Sequence, residues 1–323
     1  MDIAPTSPRR VLVIFNPTAG RRRSRLLTAT LAELRKLGCS VAVAETAVKG
    51  DAETFAAGVR RSEFDVIAVA GGDGTINEVV NGLGDDAPPL AVIPLGTANV
   101  LALELGFVAD PARLARAIAR AEAHPIRVGR VNGRRFVMMV GVGFDAHVVA
   151  AVGPALKRRL GKGAYVLKSL IGFFRFPFRV YAVDIDGVRH RAVSVIVSKG
   201  HYYAGPFVCA PDARLEAPSL YVCLFASKGP LAAMRYAIWL LLGRLSKLKD
   251  VAIVLAAEVR IDSEAGEPVQ GDGDILAEGR VALDVDPLPV MALAPKASGF
   301  RSASAAAGLG FSPLPGEHIP WSL

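Results

Sequence analysis

Over roughly the first 130 residues, short apolar runs alternate with stretches of helical spacing. Residues 11–15, 41–44, 66–70 and 90–93 are continuous apolar runs bounded by turn residues. Residues 25–37, 51–61, 75–83, 97–105 and 110–123 carry apolar positions at helical spacing. Fully apolar strands separated by helices predict a doubly wound α/β sheet, parallel and covered on both faces. Asp110-Pro111 adds a helix start signal. After about residue 126 the rhythm changes. Residues 135–140, 179–184, 191–198, 220–225, 251–255, 258–261 and 281–285 are strand-like, and Val193, Val195 and Val197 alternate as an antiparallel strand with one buried face would. Helical patterns appear at 164–174 and 231–245. The pattern predicts an α/β domain over 1–127 and a mostly β, antiparallel domain over 128–287. Segment 288–323 then returns to the first domain, with a strand near 287–295 and a loosely ordered tail from Ser298.

Composition narrows the class. The chain has 323 residues, 52% apolar and 21% charged. That excludes a disordered chain, a coiled coil and a collagen, and two domains suit the length. Three cysteines at unpatterned spacings exclude a disulfide scaffold or a Cys-rich zinc module and fit a reducing cytoplasm. A net charge of +8 favours anionic company: nucleic acid, acidic lipid headgroups or phosphorylated small molecules. The uncharged stretch 87–103 is broken by Pro88, Pro89 and Pro94. The apolar run 236–242 is about a third of the roughly 20 residues a spanning helix needs. The basic-then-apolar N-terminus ends at Asn16-Pro17 and reads as a strand, not a signal peptide. A cytoplasmic protein without a membrane span is the expectation.

The strongest local signal is Gly71-Gly72-Asp73-Gly74-Thr75, set between a strand and a helix. Its glycines let backbone approach a ligand, and the helix N-terminus favours phosphate. Asp73 beside an anion makes sense near a metal or in a charge network; a tight turn with Thr75 as N-cap is the plainer reading. Asn16-Pro17-Thr18-Ala19-Gly20 and Pro94-Leu95-Gly96-Thr97-Ala98-Asn99 follow two other strands. Three such loops at the carboxyl ends of parallel strands line one crevice, where open α/β sheets bind ligands. No Walker A loop and no dinucleotide fingerprint occur.

These loops, extended as Ile76-Asn77-Glu78-Val79-Val80-Asn81-Gly82-Leu83 after Thr75, resemble the catalytic domain of the diacylglycerol kinase family. That family includes sphingosine and ceramide kinases and soluble bacterial lipid kinases. Gly141-Val142-Gly143-Phe144-Asp145 is similar to its start-of-second-domain motif, and Pro268-Val269-Gln270-Gly271-Asp272-Gly273-Asp274 to its late acidic motif. The matches keep family order over roughly residues 11 to 295. The resemblance implies a sandwich-like lipid domain, an active site in the cleft between domains, and phosphoryl transfer from ATP with Mg²⁺ to a lipid hydroxyl. Diacylglycerol is the leading acceptor; ceramide, a sphingoid base or another long-chain lipid is the near alternative, and a soluble-metabolite kinase of the NAD-kinase type shares the Gly-Gly-Asp-Gly-Thr turn. By the same resemblance Asp272 is the candidate general base, and Asp73 is the second catalytic acid and candidate Mg²⁺ neighbour. Asn16, Pro17, Gly20, Gly71, Gly72, Gly74, Thr75, Glu78, Gly96, Thr97, Asn99 and Asp274 would line the nucleotide. Val100 and Ala217-Pro218 depart from the family: relatives carry Asp at the first and Asp-Gly at the second, the latter tied to a structural Mg²⁺.

An alcohol is a weak nucleophile, so a carboxylate that takes or orients its proton suits this chemistry. Taken alone, Asp272-Gly273 reads equally as a hairpin turn and Asp145 as a helix N-cap. The cluster Arg21, Arg22, Arg23 and Arg25 suits either ATP phosphates or a solvated helix start. Lys157 to Phe178 and Arg235 to Lys249 mix cations with bulky apolar side chains. They either lie on an anionic membrane surface or pack their apolar faces on the core. The expected partner is a lipid at such a surface at the inner face of the membrane, with no nucleic acid; a homodimer is compatible. The five histidines lack ligand spacing.

Overall fold

The structure, a computed structural model, describes residues 8–19, 24–151 and 178–295. Its first elements are β1 (Arg10–Phe15), α1 (Ser24–Lys36), β2 (Ser40–Glu45), α2 (Asp51–Gly58), β3 (Val66–Gly71), α3 (Asp73–Gly82), β4 (Leu90–Pro94), α4 (Val100–Leu105), α5 (Pro111–Arg120) and β5 (Ala123–Ile126). There follow β6 (Gly129–Val131), β7 (Arg134–Phe136), β8 (Met139–Val142), α6 (Phe144–Ala151), β9 (Tyr181–Ile185), β10 (Val188–Ala192), β11 (Ser194–Ser198), β12 (Tyr202–Tyr203), β13 (Phe207–Val208) and β14 (Leu220–Phe225). The last are α7 (Pro230–Leu241), β15 (Val251–Ala256), β16 (Glu258–Asp262), β17 (Pro268–Gly271), β18 (Asp274–Glu278), β19 (Val281–Val285) and β20 (Val290–Leu293).

The first sheet has the order β2-β1-β3-β4-β20-β5. Strands β2, β1, β3, β4 and β20 run parallel, and β5 pairs antiparallel to β20. Every residue of β3 and β4 is buried, which is why both read as unbroken apolar runs. The helix expected over 110–123 stops at Arg120. Pro125 biases His124 towards extended backbone, and residues 123–126 pair with β20 instead. Helix α4 begins at Val100 rather than at 97, because residue 99 turns the chain with a left-handed φ of 52°.

The remaining strands form two antiparallel sheets, β10-β9-β16-β19-β6-β7 and β15-β14-β11-β8-β17-β18. Their facing sides enclose one core, with Phe136, Val183, Val197, Val222, Ile261 and Leu283. The outer side of the second sheet is covered too: Tyr221, Cys223 and Phe225 join the core of the first unit, with Tyr236 and Leu240 packed against it. Strand β11 is therefore buried on both faces, Ile196 as well as Val195 and Val197, and the expected one-sided alternation fails there. The stretch 191–198 breaks after Ala192, where the chain leaves one sheet for the other. The stretch 135–140 breaks at 137–138, whose N–H groups turn to a side chain described below. The helix expected over 231–245 ends at Leu241, and Gly243 has a φ of 64°. The expected helix at 164–174 and the tail lie outside the described residues.

Candidate active site

Strands β1, β3 and β4 deliver three loops to one edge of the sheet. The loops are locked together by backbone and short polar groups. Leu95 N and Gly96 N both donate to Gly71 O, at 3.0 and 3.1 Å. A Cβ on Gly96 would come within 2.5 Å of the Gly72 Cα, so the two turns cross where only glycine fits. Asn16 Nδ2 donates to Thr75 Oγ1 at 3.0 Å, and Asn16 Oδ1 accepts from Thr18 N at 2.9 Å. Thr97 is exposed at the rim. Asn99 Nδ2 donates to Gly96 O at 2.8 Å. Pro17 belongs to the first loop; Gly20 and Arg21 to Arg23 lie outside the described residues.

Helix α3 carries a polar stripe at Asp73, Asn77 and Asn81, four residues apart and so on one face. Asn77 and Asn81 both donate to Arg135 O, at 3.1 and 3.0 Å, and Asp73 reaches α4. Asp73 accepts from Asn99 N at 2.9 Å and Val100 N at 2.7 Å, capping α4 and tying two loops together. Burial pushes its carboxyl up to about 6; the Val100 and Asn99 bonds oppose that, and the nearby Asp272 charge adds to it. Val100, where the family carries a carboxylate, contributes a backbone N–H to this cap. Asn81 exchanges bonds with the backbone of Arg135, whose guanidinium meets Asp286 at 2.6 Å and, at the end of α3, the carbonyls of Val80 and Leu83 at 3.1 Å.

Asn77 donates to Asp272 Oδ2 at 2.8 Å, across from the first sheet's helix to the second sheet's edge. Asp272 and Gly273 form the two-residue turn between β17 and β18, with φ of 51° and 86°. Both turn positions therefore sit in the left-handed region that an Asp-Gly hairpin turn requires. The hairpin reading holds, yet the side chain is not a surface group. The carboxylate is 8% exposed and accepts from Val137 N (2.6 Å), Met138 N (2.8 Å), Met139 N (3.1 Å) and Asn77. Two donors meet each oxygen. Burial still raises the carboxyl above the usual carboxylate range. Behind the turn, Gly273 N donates to Gln270 Oε1 at 3.1 Å, and Gln270 Nε2 donates to Asp145 at 2.5 Å. Asp145 also accepts from Tyr203 and lies inside the first turn of α6 rather than capping it.

Asp274 follows, half-buried. Its Oδ2 lies 3.0 Å from where a Cβ on Gly74 would stand, so it faces the first turn of α3 across the crevice. Glu78, one turn further along α3, accepts from Gly50 N at 3.1 Å. Burial raises its carboxyl, and the Asp274 charge is among the contributors. Asn77, Asn81, Arg135 and Gln270 are the members that motif reading did not single out. The stripe at 73, 77 and 81 was the available signal for the first two.

The resemblance ties a structural Mg²⁺ to the loop at Ala217-Pro218. Ala217-Pro218 brings no carboxylate, and the fully buried Lys199 sends its ammonium to the carbonyls of Ala217 (2.6 Å) and Ser219 (3.1 Å). The chain's own cation fills the place, and a divalent ion does not fit beside it. Burial lowers the Lys199 pKa from the ordinary 10.5 to about 8. The folded chain therefore loses this proton before the unfolded chain does. The charge penalty is fully present below pH 8, and stability is gained as pH rises from about 8 to 10.5. Thermal unfolding should be the same in EDTA and in Mg²⁺, and Lys199→Met should flatten the alkaline gain. A chelator-induced drop of several degrees would show that this loop binds a metal.

Two family models match the chain: the diacylglycerol kinase catalytic domain over residues 10–131, and the YegS C-terminal NAD kinase beta sandwich-like domain over residues 138–294. A diacylglycerol kinase of Bacillus subtilis (strain 168) is 32% identical over 269 residues, covering 81% of this chain and 88% of that protein. One from Staphylococcus carnosus (strain TM300) is 27% identical over 273 residues, covering 82% and 89%. Among solved structures, a diacylglycerol kinase from Bacillus anthracis str. Sterne superposes with a TM-score of 0.71 at 27% identity, over 90% of this chain and 99% of that one. An NAD kinase from Archaeoglobus fulgidus in complex with ATP shares the fold, with a TM-score of 0.53 at 14% identity over 91% and 97%.

Proposed function

The chain belongs to the diacylglycerol kinase family and is a kinase, and from that premise we propose that it transfers the γ-phosphoryl group of ATP to the hydroxyl of a membrane lipid, diacylglycerol first. The observation that carries the reading is the crevice itself. On one wall, glycine turns in backbone contact lead into the N-terminus of α3, a ready anion site. On the other, the β17–β18 turn presents Asp274 to Gly74. A nucleotide's phosphates would lie along the first wall, and the acceptor hydroxyl would enter from the second.

The proton acceptor we propose is Asp274. The general-base role expected of Asp272 meets an obstacle: four protein donors already occupy its oxygens, so an incoming hydroxyl would have to displace one of them. Asp272 instead holds the turn on which Asp274 rides. In the reaction the lipid oxygen forms its bond to the γ-phosphorus, the bond to the β-bridging oxygen breaks, and ADP leaves. The hydroxyl proton passes to Asp274 and then to solvent.

Four carboxylates, Asp73, Glu78, Asp272 and Asp274, share this neighbourhood: the Asp272 charge helps raise the Asp73 carboxyl, and the Asp274 charge helps raise that of Glu78. Such a surplus of negative charge fits Mg²⁺ arriving with nucleotide phosphates, which needs only one or two protein carboxylates. Among the described residues no cluster of three or more His, Cys, Asp or Glu offers an all-protein cage. Asp73 would hold the ion, which would neutralise phosphate charge.

The test is transfer of labelled phosphate from Mg-ATP to detergent-dispersed diacylglycerol, ceramide or NAD. Label recovered in phosphatidic acid is expected. Label in NAD alone, or in none, would overturn the reading.

A further inference from the structure

Helix α7 contains no buried residue. One side, with Tyr236 and Leu240, packs against the outer face of the second sandwich sheet, where the Tyr236 ring meets Phe225 edge-on at 5.0 Å. The Tyr236 hydroxyl is anchored to Asp250 at 2.5 Å. The other side is apolar as well. Leu231, Met234, Ile238, Leu241 and Leu242 are 77%, 49%, 47%, 62% and 62% exposed. The first four advance by three, four and three residues, which places them on one stripe of the helix. A contiguous apolar face left in water marks an interaction surface.

The charges around it identify the partner. Residues 226–249 include Lys228, Arg235, Arg244, Lys247 and Lys249 and contain no Asp or Glu. The first acid beyond them, Asp250, is engaged by Arg235, Ser227 and Tyr236. An apolar stripe flanked along the chain by cations without acids is complementary to an anionic bilayer: acyl chains for the leucines, headgroups for the lysines. At 12 residues α7 is too short to cross, since spanning takes roughly 20. Among the described residues no helix is long and apolar enough to do so.

We propose that α7 lies in the plane of an anionic membrane surface with Leu231, Met234, Ile238, Leu241 and Leu242 inserted among the acyl chains. This rests on the lipid-kinase reading only for its purpose, which is to bring the crevice to a bilayer-borne acceptor. Of the two apolar-basic stretches in the sequence, this one leaves its stripe in solvent; Lys157 to Phe178 falls almost wholly outside the described residues.

The chain has two tryptophans, Trp239 and Trp321, so Trp321→Phe leaves a reporter within α7. In that background, mixed phosphatidylglycerol–phosphatidylcholine vesicles should shift Trp239 emission to the blue, and acyl-brominated lipid should quench it. Pure phosphatidylcholine vesicles should bind more weakly, and added salt should release the protein from the mixed ones. Leu231→Glu with Leu241→Glu should lower the vesicle partition coefficient about 30-fold or more, the loss expected when two such side chains no longer leave water. The double variant should unfold at the parent temperature and phosphorylate detergent-dispersed short-chain diacylglycerol at the parent rate. Absence of quenching by brominated chains overturns the proposal. So does vesicle binding unchanged in the double variant, including the case where that variant instead dissociates a dimer and so reveals a second copy as the occupant. If the double variant loses vesicle binding while the parent phosphorylates no lipid, insertion stands and the kinase reading falls.

Discussion

Asp274→Asn is expected to lower lipid phosphorylation about 100-fold or more, the scale of one positioned proton acceptor. ATP affinity should stay within a few-fold, because a group that takes the hydroxyl proton acts on the transition state more than on nucleotide binding. The expectation rests on where the two neighbouring acids stand. Asp272 is enclosed by four donors, whereas Asp274 is half-buried and faces Gly74 at the mouth of α3. Asp274→Glu keeps the carboxylate and should retain partial activity. Steady-state rates with ATP and dispersed diacylglycerol, each varied in turn, separate the outcomes. If Asp274→Asn raises the KM for ATP and leaves kcat alone, Asp274 is a nucleotide or metal contact and the proton acceptor lies elsewhere.

Pattern made the first sheet legible because its central strands are apolar on both faces and alternate with helices, as a covered parallel sheet asks. The antiparallel part was legible where strands keep one exposed face, as β16 and β19 do. It also caught β14, buried throughout, but missed β17 and β18. Strands β17 and β18 run through Gln270-Gly271-Asp272-Gly273-Asp274, a composition that resembles loop, and their pairing depends on β8, more than a hundred residues earlier. The glycine turns of the site could be read directly, since a close backbone crossing leaves its mark as Gly72 and Gly96. The partners of Asp272 could not. Three of its four donors are backbone N–H groups of Val137, Met138 and Met139, and side-chain identity does not encode a backbone donor. Lys199 is the same case in reverse: one more lysine by composition, it is a buried internal cation once Ala217 and Ser219 fold over it.

Asp272→Ala should therefore be a folding lesion before it is a catalytic one. Removing the carboxylate strands the N–H groups of Val137, Met138 and Met139 in a place where the parent residue is 8% exposed, and leaves the Asn77 amide only Arg135 O. A buried donor left without a partner costs about 1–3 kcal/mol. Even with water reaching some of them, the loss should be on the order of 3 kcal/mol or more, a fall of roughly 5 °C in Tm for a chain of this size. Relief of the buried charge offsets part of this, since burial holds the Asp272 carboxyl above its usual range. Asp272→Asn keeps one acceptor oxygen but turns an amide NH₂ towards donors, so it should fall between parent and alanine. The lesion should also loosen the contact between α3 and the β17–β18 turn, because Asn77 loses its acceptor there. Amide exchange at 137–139 should then rise well above that at the centre of β14, which the substitution does not touch. Equilibrium unfolding of both variants, with exchange mapped by mass spectrometry, decides the matter. Parent-like stability with slow exchange at 137–139, and activity lost all the same, would return Asp272 to the chemistry and make Asp274 its neighbour rather than its replacement.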